Sequence, residues 1–127
     1  MARIVLCDDS KAILMLFERK LKDAGHEIVG KARDGEEGFK VYSETKPAIM
    51  LLDVTMPNID GRDCLSNILK MDPSAKIIMV SAIKEEEVMK ECLALGAKAF
   101  ISKANTLDDE VFKKEVLSVI DALLKAA

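Results

Sequence analysis

No apolar stretch of this sequence approaches the ~20 residues needed to cross a bilayer, so a membrane-spanning helix is excluded. No basic arm or polybasic run is present either. With 19 Lys plus Arg against 22 Asp plus Glu, the formal charge is −3, which argues against nucleic acid as a partner. Cys-x-x-Cys and Cys/His zinc spacings are missing, and Cys7, Cys64 and Cys92 stand far apart in odd number. They read as buried, reduced thiols. The N-terminus has only Ile4 to Cys7 before Asp8-Asp9, too short and too soon acidic for a signal peptide. These absences together predict a cytoplasmic protein. Aromatic residues make up only 4%, yet 50% of the 127 residues are hydrophobic. That is enough to bury a core, so disorder and a disulfide-stapled miniature are excluded. The length fits one domain, without repeats or linker.

Short apolar runs alternate five times with longer amphipathic stretches, the pattern of strands joined by helices in a parallel sheet. The predicted strands are Arg3 to Cys7, Glu27 to Ala32, Ala48 to Asp53, Lys76 to Ser81 and Ala99 to Ser102. Helical spacing recurs in Ile13, Leu14, Phe17 and Leu21, in Leu65, Ile68 and Leu69, in Val88, Cys92 and Leu95, and in Phe112, Val116, Val119, Ile120 and Leu123. A second helix is predicted from about Glu36 to Glu44, with Phe39 and Tyr42 inward. Ser10 is placed to cap the first helix, Gly25 to end it and Gly96 to follow the fourth, while Pro47 and Pro73 sit in helix-to-strand connections. Right-handed crossovers then put helices on both faces. The predicted fold class is α/β: a single doubly wound, five-stranded parallel sheet of order 2-1-3-4-5 flanked by five helices.

In such a sheet ligands bind outside the carboxyl ends of the strands, where strand order reverses, here between the first and third strands. Asp8 and Asp9 end the first strand and Asp53 ends the third. Three converging carboxylates repel one another unless a cation compensates. Mg²⁺, held by carboxylates and water, suits an open rim of oxygen ligands. The fourth strand ends in the hydroxyl of Ser81, and Lys103 follows the fifth. A carboxylate nucleophile, a metal, a hydroxyl and an ammonium at one rim form an apparatus for handling a phosphoryl group.

Asp8-Asp9-Ser10, the run from Leu52 to Gly61, Val80-Ser81-Ala82, Gly96-Ala97 and Phe100-Ile101-Ser102-Lys103 resemble the receiver domain of two-component response regulators, a flavodoxin-like fold. The resemblance covers essentially the whole chain and points to the single-domain chemotaxis branch, with residues 1–127 one receiver and no output domain. It implies that Asp53 is phosphorylated, and that Asp9, Asp53 and the Thr55 carbonyl hold Mg²⁺ with Asp8 assisting through water. It also implies that Ser81 and Lys103 grip the phosphoryl group and that Phe100 is a switch aromatic following Ser81. The implied function is a signalling switch that is not a classical enzyme but promotes its own phosphorylation and dephosphorylation. Its implied partners are a sensor histidine kinase or phosphotransfer protein and a downstream effector, met by a monomer through the fourth helix, fifth strand and fifth helix, with the Ser81-Ala82-Ile83 loop, the fourth helix from about Glu85 and the strand bearing Phe100 biased most directly. One departure stands out: Ala104 follows Lys103 where the family usually has proline, normally after a cis bond. A cis bond before alanine costs ~2.5–4 kcal/mol, so the Lys103-Ala104 bond is expected either trans, with a reshaped loop, or cis under strain.

Blander readings compete at several positions. Ser81 alone is a strand terminus and Lys103 alone a surface lysine; Phe100 is a core residue on any reading. His26, without ligand partners at suitable spacing, is expected at the surface in a turn, and the seven methionines are expected mostly in the core. Glu85-Glu86-Glu87 reads as an acidic first helical turn. A Mg²⁺-dependent hydrolase would want an acid where Thr55 stands, and Asp8-Asp9 would repel the phosphate of a flavin. The remaining alternative is a receiver-like module that binds its partner without phosphorylation.

Overall fold

The computed structural model describes residues 2–82 and 85–125, so Ile83 of the anticipated responding loop lies outside the described residues, as does Met1. Five parallel strands form one sheet of order β2-β1-β3-β4-β5. They are β1 (Arg3–Cys7), β2 (Glu27–Ala32), β3 (Ile49–Asp53), β4 (Ile77–Ser81) and β5 (Ala99–Ser102). Between them run α1 (Lys11–Asp23), α2 (Gly35–Thr45), α3 (Gly61–Met71) and α4 (Glu86–Leu95). The last helix, α5, covers 109–125: α-helical over Asp109–Phe112, a π turn over Lys113–Leu117, and α-helical again over Ser118–Lys125.

Strand alternation divides the core in two. Val5, Cys7, Met50, Leu52, Ile77 and Met79 face α2, α3 and α4, meeting Tyr42, Cys64, Leu65, Ile68 and Cys92. Ile4, Leu6, Ile49, Leu51, Ile78 and Val80 face α1 and α5, meeting Leu14, Phe17, Leu21, Phe112, Val116 and Ile120. Both faces of β1, β3 and β4 are therefore covered, which is why these strands read as unbroken apolar runs. Phe17 and Phe112 pack edge to face at 5.5 Å between centroids, locking α1 to α5.

Local chemistry starts and stops the helices, at Ser10, Gly25 and Gly96 as expected and at Asp34 and Asp60 in addition. Ser10 Oγ accepts from Ile13 N, Asp34 Oδ1 from Glu37 N and Asp60 Oδ1 from Arg62 N. Gly25 and Gly96 take the left-handed conformation, φ 93° and 119°, after α1 and α4. Tyr42 is buried and Phe39 packs against the same core, and the three cysteines are free and buried. α2 begins one residue before the expected Glu36 and runs one past Glu44, because the Asp34 cap captures the first turn.

One expectation fails and another holds in part. His26 is buried, not a surface turn residue: its Nδ1 accepts a hydrogen bond of 3.1 Å from the Ala2 amide, which closes the chain's first residues over it. Of the six methionines among the described residues, three are core and Met89 is half-buried. Met50, Met56 and Met79 are buried, whereas Met15 and Met71 are exposed on helix flanks, where a flexible thioether is tolerated. Among the described residues no helix is long and apolar enough to cross a membrane.

Candidate functional site

Asp8 follows the last residue of β1 and is buried because its amide pairs with Ala32 O at 3.0 Å, extending the ladder by one residue. Its Oδ1 accepts from Ser10 N at 2.8 Å, so one oxygen is fixed by the turn into α1 and the other faces the rim. Asp9, next along, is exposed. Asp53, the last residue of β3, is buried opposite them. Each of the three acids offers a carboxylate oxygen, and these oxygens lie within 4.8 Å of one another. All-oxygen donors at this spacing fit a hard divalent cation such as Mg²⁺, with water completing the octahedron.

Ser81 ends β4, almost wholly buried and in register with Ser102 of β5. Lys103 leaves β5 directly, and its ammonium reaches back across the rim to Asp8 Oδ2 at 2.7 Å and Asp53 Oδ2 at 3.3 Å. The sequence anticipated this residue at this rim; its closer pairing with Asp8 than with Asp53 it did not. The Lys103-Ala104 bond is trans, and the chain beyond it winds into a 3₁₀ turn over Lys103–Thr106. Of the two alternatives left open by Ala104, the structure has the trans bond.

Burial is the main reason the Asp53 carboxyl is pushed up, to about 6, with repulsion from Asp8 adding to it; Lys103 pulls the other way. Burial disfavours the charged Lys103, but its contacts with Asp8 and Asp53 outweigh that and hold it above the ordinary lysine value. The cluster is thus three acids against one ammonium, a net deficit of positive charge that a cation would fill.

Thr55 lies in the loop after β3 and is exposed. Asn58 in the same loop has φ 66°. Gly61, which opens α3, donates its N–H to Val54 O at 2.7 Å, and a Cβ there would stand 2.0 Å from Asp53 O. Phe100 is half-buried on the α3/α4 side, level with Met79 of β4. Arg33, which the sequence reading passed over, donates to Asp9 O at 3.3 Å. Its residue type carried no signal, since an exposed arginine after a strand is ordinary.

The model of the response regulator receiver domain matches residues 4–114. This chain belongs to that family. As a receiver it is similar to the chemotaxis protein CheY of Listeria monocytogenes, 37% identical over 127 residues covering 100% of this chain and 99% of that protein. The chemotaxis protein CheY of Thermotoga maritima is 39% identical over 101 residues, 80% of this chain and 84% of that one. The crystal structure of the CheX-CheY-BeF3-Mg²⁺ complex from Borrelia burgdorferi matches with a TM-score of 0.86 at 38% identity, covering 93% of this chain and 88% of that one. The receiver is of the CheY type, a class of signalling switches and not of classical enzymes.

Proposed function

We propose that this receiver is a phosphorylation-activated switch in which Asp53 accepts a phosphoryl group in a Mg²⁺-dependent reaction. The observation that carries the reading is the convergence of Asp8, Asp9 and Asp53 on one cation-sized spot with the Lys103 ammonium bridging two of them. A carboxylate oxygen of Asp53 attacks phosphorus as the bond from phosphorus to the donor's leaving atom breaks, the leaving group departing with the electron pair. Asp9, Asp53 and the Thr55 carbonyl hold the ion, with Asp8 acting through water. Lys103 and Ser81 bind oxygens of the transferred group, and positioning and charge neutralisation supply the catalysis. The donor is a sensor histidine kinase, a phosphotransfer protein or a small acyl phosphate, met in the cytoplasm.

Output is read by a separate protein through α4, β5 and α5. Among the helices beside the site, α4 fully buries only Cys92, whereas α3 buries Gly61, Cys64, Leu65 and Ile68. A thinly anchored element is the easier one to shift. Movement of Ser81 toward the phosphoryl group opens space for Phe100 behind it, and a coupling of ~1–3 kcal/mol changes partner affinity ~5–150-fold. The Borrelia relative, whose crystal holds CheX, CheY, BeF3 and Mg²⁺ together, is the precedent for a receiver bound to a separate protein.

Intact-mass measurement after incubation with Mg²⁺ and acetyl phosphate tests this. One added phosphoryl group is expected in the wild type and none in Asp53→Asn. A folded wild type that gains no mass at saturating donor overturns the proposal in favour of a module that binds without phosphorylation.

A further inference from the structure

Lys20 lies near the end of α1, on the side of the helix that packs inward, and is buried. Lysines are seldom buried unless every donor is satisfied, and here all three are. Its Nζ donates to Thr106 O at 3.2 Å and to Leu107 O at 3.0 Å, and pairs with Asp109 Oδ1 at 2.9 Å. The same ammonium stands 5.1 Å from the Phe112 ring centroid. All these partners belong to the segment directly after Lys103. Within that segment, Thr106 is fully buried and its Oγ1 donates to Lys103 O at 2.6 Å. Ala104, by contrast, is exposed.

The backbone from which Lys103 springs is therefore held from below by a chain of contacts: Lys20 to the carbonyls of Thr106 and Leu107, and Thr106 to the carbonyl of Lys103. The helix carrying Lys20 is capped by Ser10, whose N–H fixes the Asp8 carboxylate that Lys103 grips. One helix thus sets both ends of the Lys103–Asp8 contact. We propose that Lys20, acting through Thr106, is a positioning residue for Lys103, setting how far its ammonium reaches toward the phosphoryl group on Asp53. This rests on the function proposed above. Merely pinning α5 would require the Asp109 pair and the Phe112 ring contact; the two carbonyl bonds to 106 and 107 go further and fix the turn itself.

The test measures beryllofluoride affinity of the full chain with saturating Mg²⁺, in wild type, Lys20→Met, Lys103→Ala and the double variant. Methionine keeps the apolar stem of the lysine while removing its three donors. Lys20→Met is expected to weaken beryllofluoride about 5- to 20-fold, since misplacing a charged group by about 1 Å forfeits much of its stabilisation. In the Lys103→Ala background the same change is expected to have no further effect, because residues acting in one chain are not additive. Thr106→Val, which deletes only the hydroxyl, is expected to show the same dependence on Lys103 with a smaller loss, and it carries the test if Lys20→Met fails to fold. Equal losses in both backgrounds, or none in either, overturn the inference and leave the proposed function standing. A wild type that does not bind beryllofluoride overturns both.

Discussion

The two rims of the sheet are built from the same strands and differ in how their polar groups are balanced. At the amino ends, nearly everything is closed by hydrogen bonds. Glu27 N meets Ala2 O, Ala48 N meets Arg3 O and Lys98 N meets Ile77 O, all within 2.9 Å. The Arg3 guanidinium donates to Thr45 O and Lys46 O, Lys76 Nζ to Leu123 O, and Ala2 N to His26 Nδ1. At the carboxyl ends, three acids converge and the Lys103 ammonium pairs with two of them, Asp8 and Asp53. The first rim is arranged for stability. The second holds an uncompensated charge that stability alone would not keep, and such an imbalance is the mark of a binding site.

The contrast breaks most severely at Gly61. Gly61→Ala would drive a Cβ into the Asp53 carbonyl and the Val54 backbone, which cannot give way as a side chain could. A loss of about 3 kcal/mol is expected in urea unfolding, the upper end of what forcing extra atoms into a packed site costs. Wild-type stability in the variant would mean that the loop after β3 is not clamped against α3.

Removing the imbalance should stabilise. With chelator present, Asp53→Asn is expected to gain roughly 1–3 kcal/mol near neutral pH, the scale set by a carboxyl pushed up to about 6. Because the folded Asp53 binds its proton more tightly than the unfolded one, the wild type loses stability as pH rises between 3.8 and about 6. The variant should lack that slope, so parallel unfolding curves across that window would contradict the charge argument. Mg²⁺ is expected to stabilise the wild type more than the variant.

A cation held by this cluster would meet carboxylates that Lys103 already engages. Lys103→Ala is therefore expected to raise Mg²⁺ affinity several-fold, on the order of 1 kcal/mol for one charge at a partly wet site, as read by a calorimetric titration without phosphodonor. Unchanged or weaker Mg²⁺ binding would mean that the ion does not share oxygens with the ammonium.

The smallest effect belongs to the quiet rim. Burial lowers the affinity of His26 for a proton, with the positive amino terminus adding to this and Asp121 opposing it. The unfolded chain thus takes the proton first, and stability should fall as pH drops through the ordinary histidine value near 6.5. His26→Leu removes the acceptor for Ala2 N and is expected to cost ~0.5–1.5 kcal/mol at pH 8, with a flatter pH dependence between 5 and 7. An unchanged slope would mean that His26 is not the group titrating there.

Most of this architecture was legible because it is written locally. A parallel strand covered on both faces must be apolar throughout, so the places where Leu6-Cys7, Leu51-Leu52 and Met79-Val80 give way to Asp8, Asp53 and Ser81 mark both the strand ends and the rim. Right-handed crossovers then bring those ends together without further information. Lys103 was legible for the same reason, one residue beyond the last strand.

What the tertiary structure decided concerns groups whose surroundings come from distant parts of the chain. Periodicity tells which way a residue faces relative to its neighbours in one element. It does not say what stands opposite. Lys20 falls among Phe17 and Leu21 at helical spacing, yet its charge reads as a solvent-facing break until Thr106 O, 86 residues away, is brought to its ammonium. His26 is a turn residue by sequence and becomes a buried acceptor only when Ala2, 24 residues earlier, closes on it. The choice of Asp8 over Asp53 as the nearer partner of Lys103, and the 3₁₀ turn after its trans bond, likewise depend on how α1 and α5 settle against the sheet. Such choices are made by packing density and by the need to satisfy every buried donor, which act on the assembled core and leave no trace in a window of neighbouring residues.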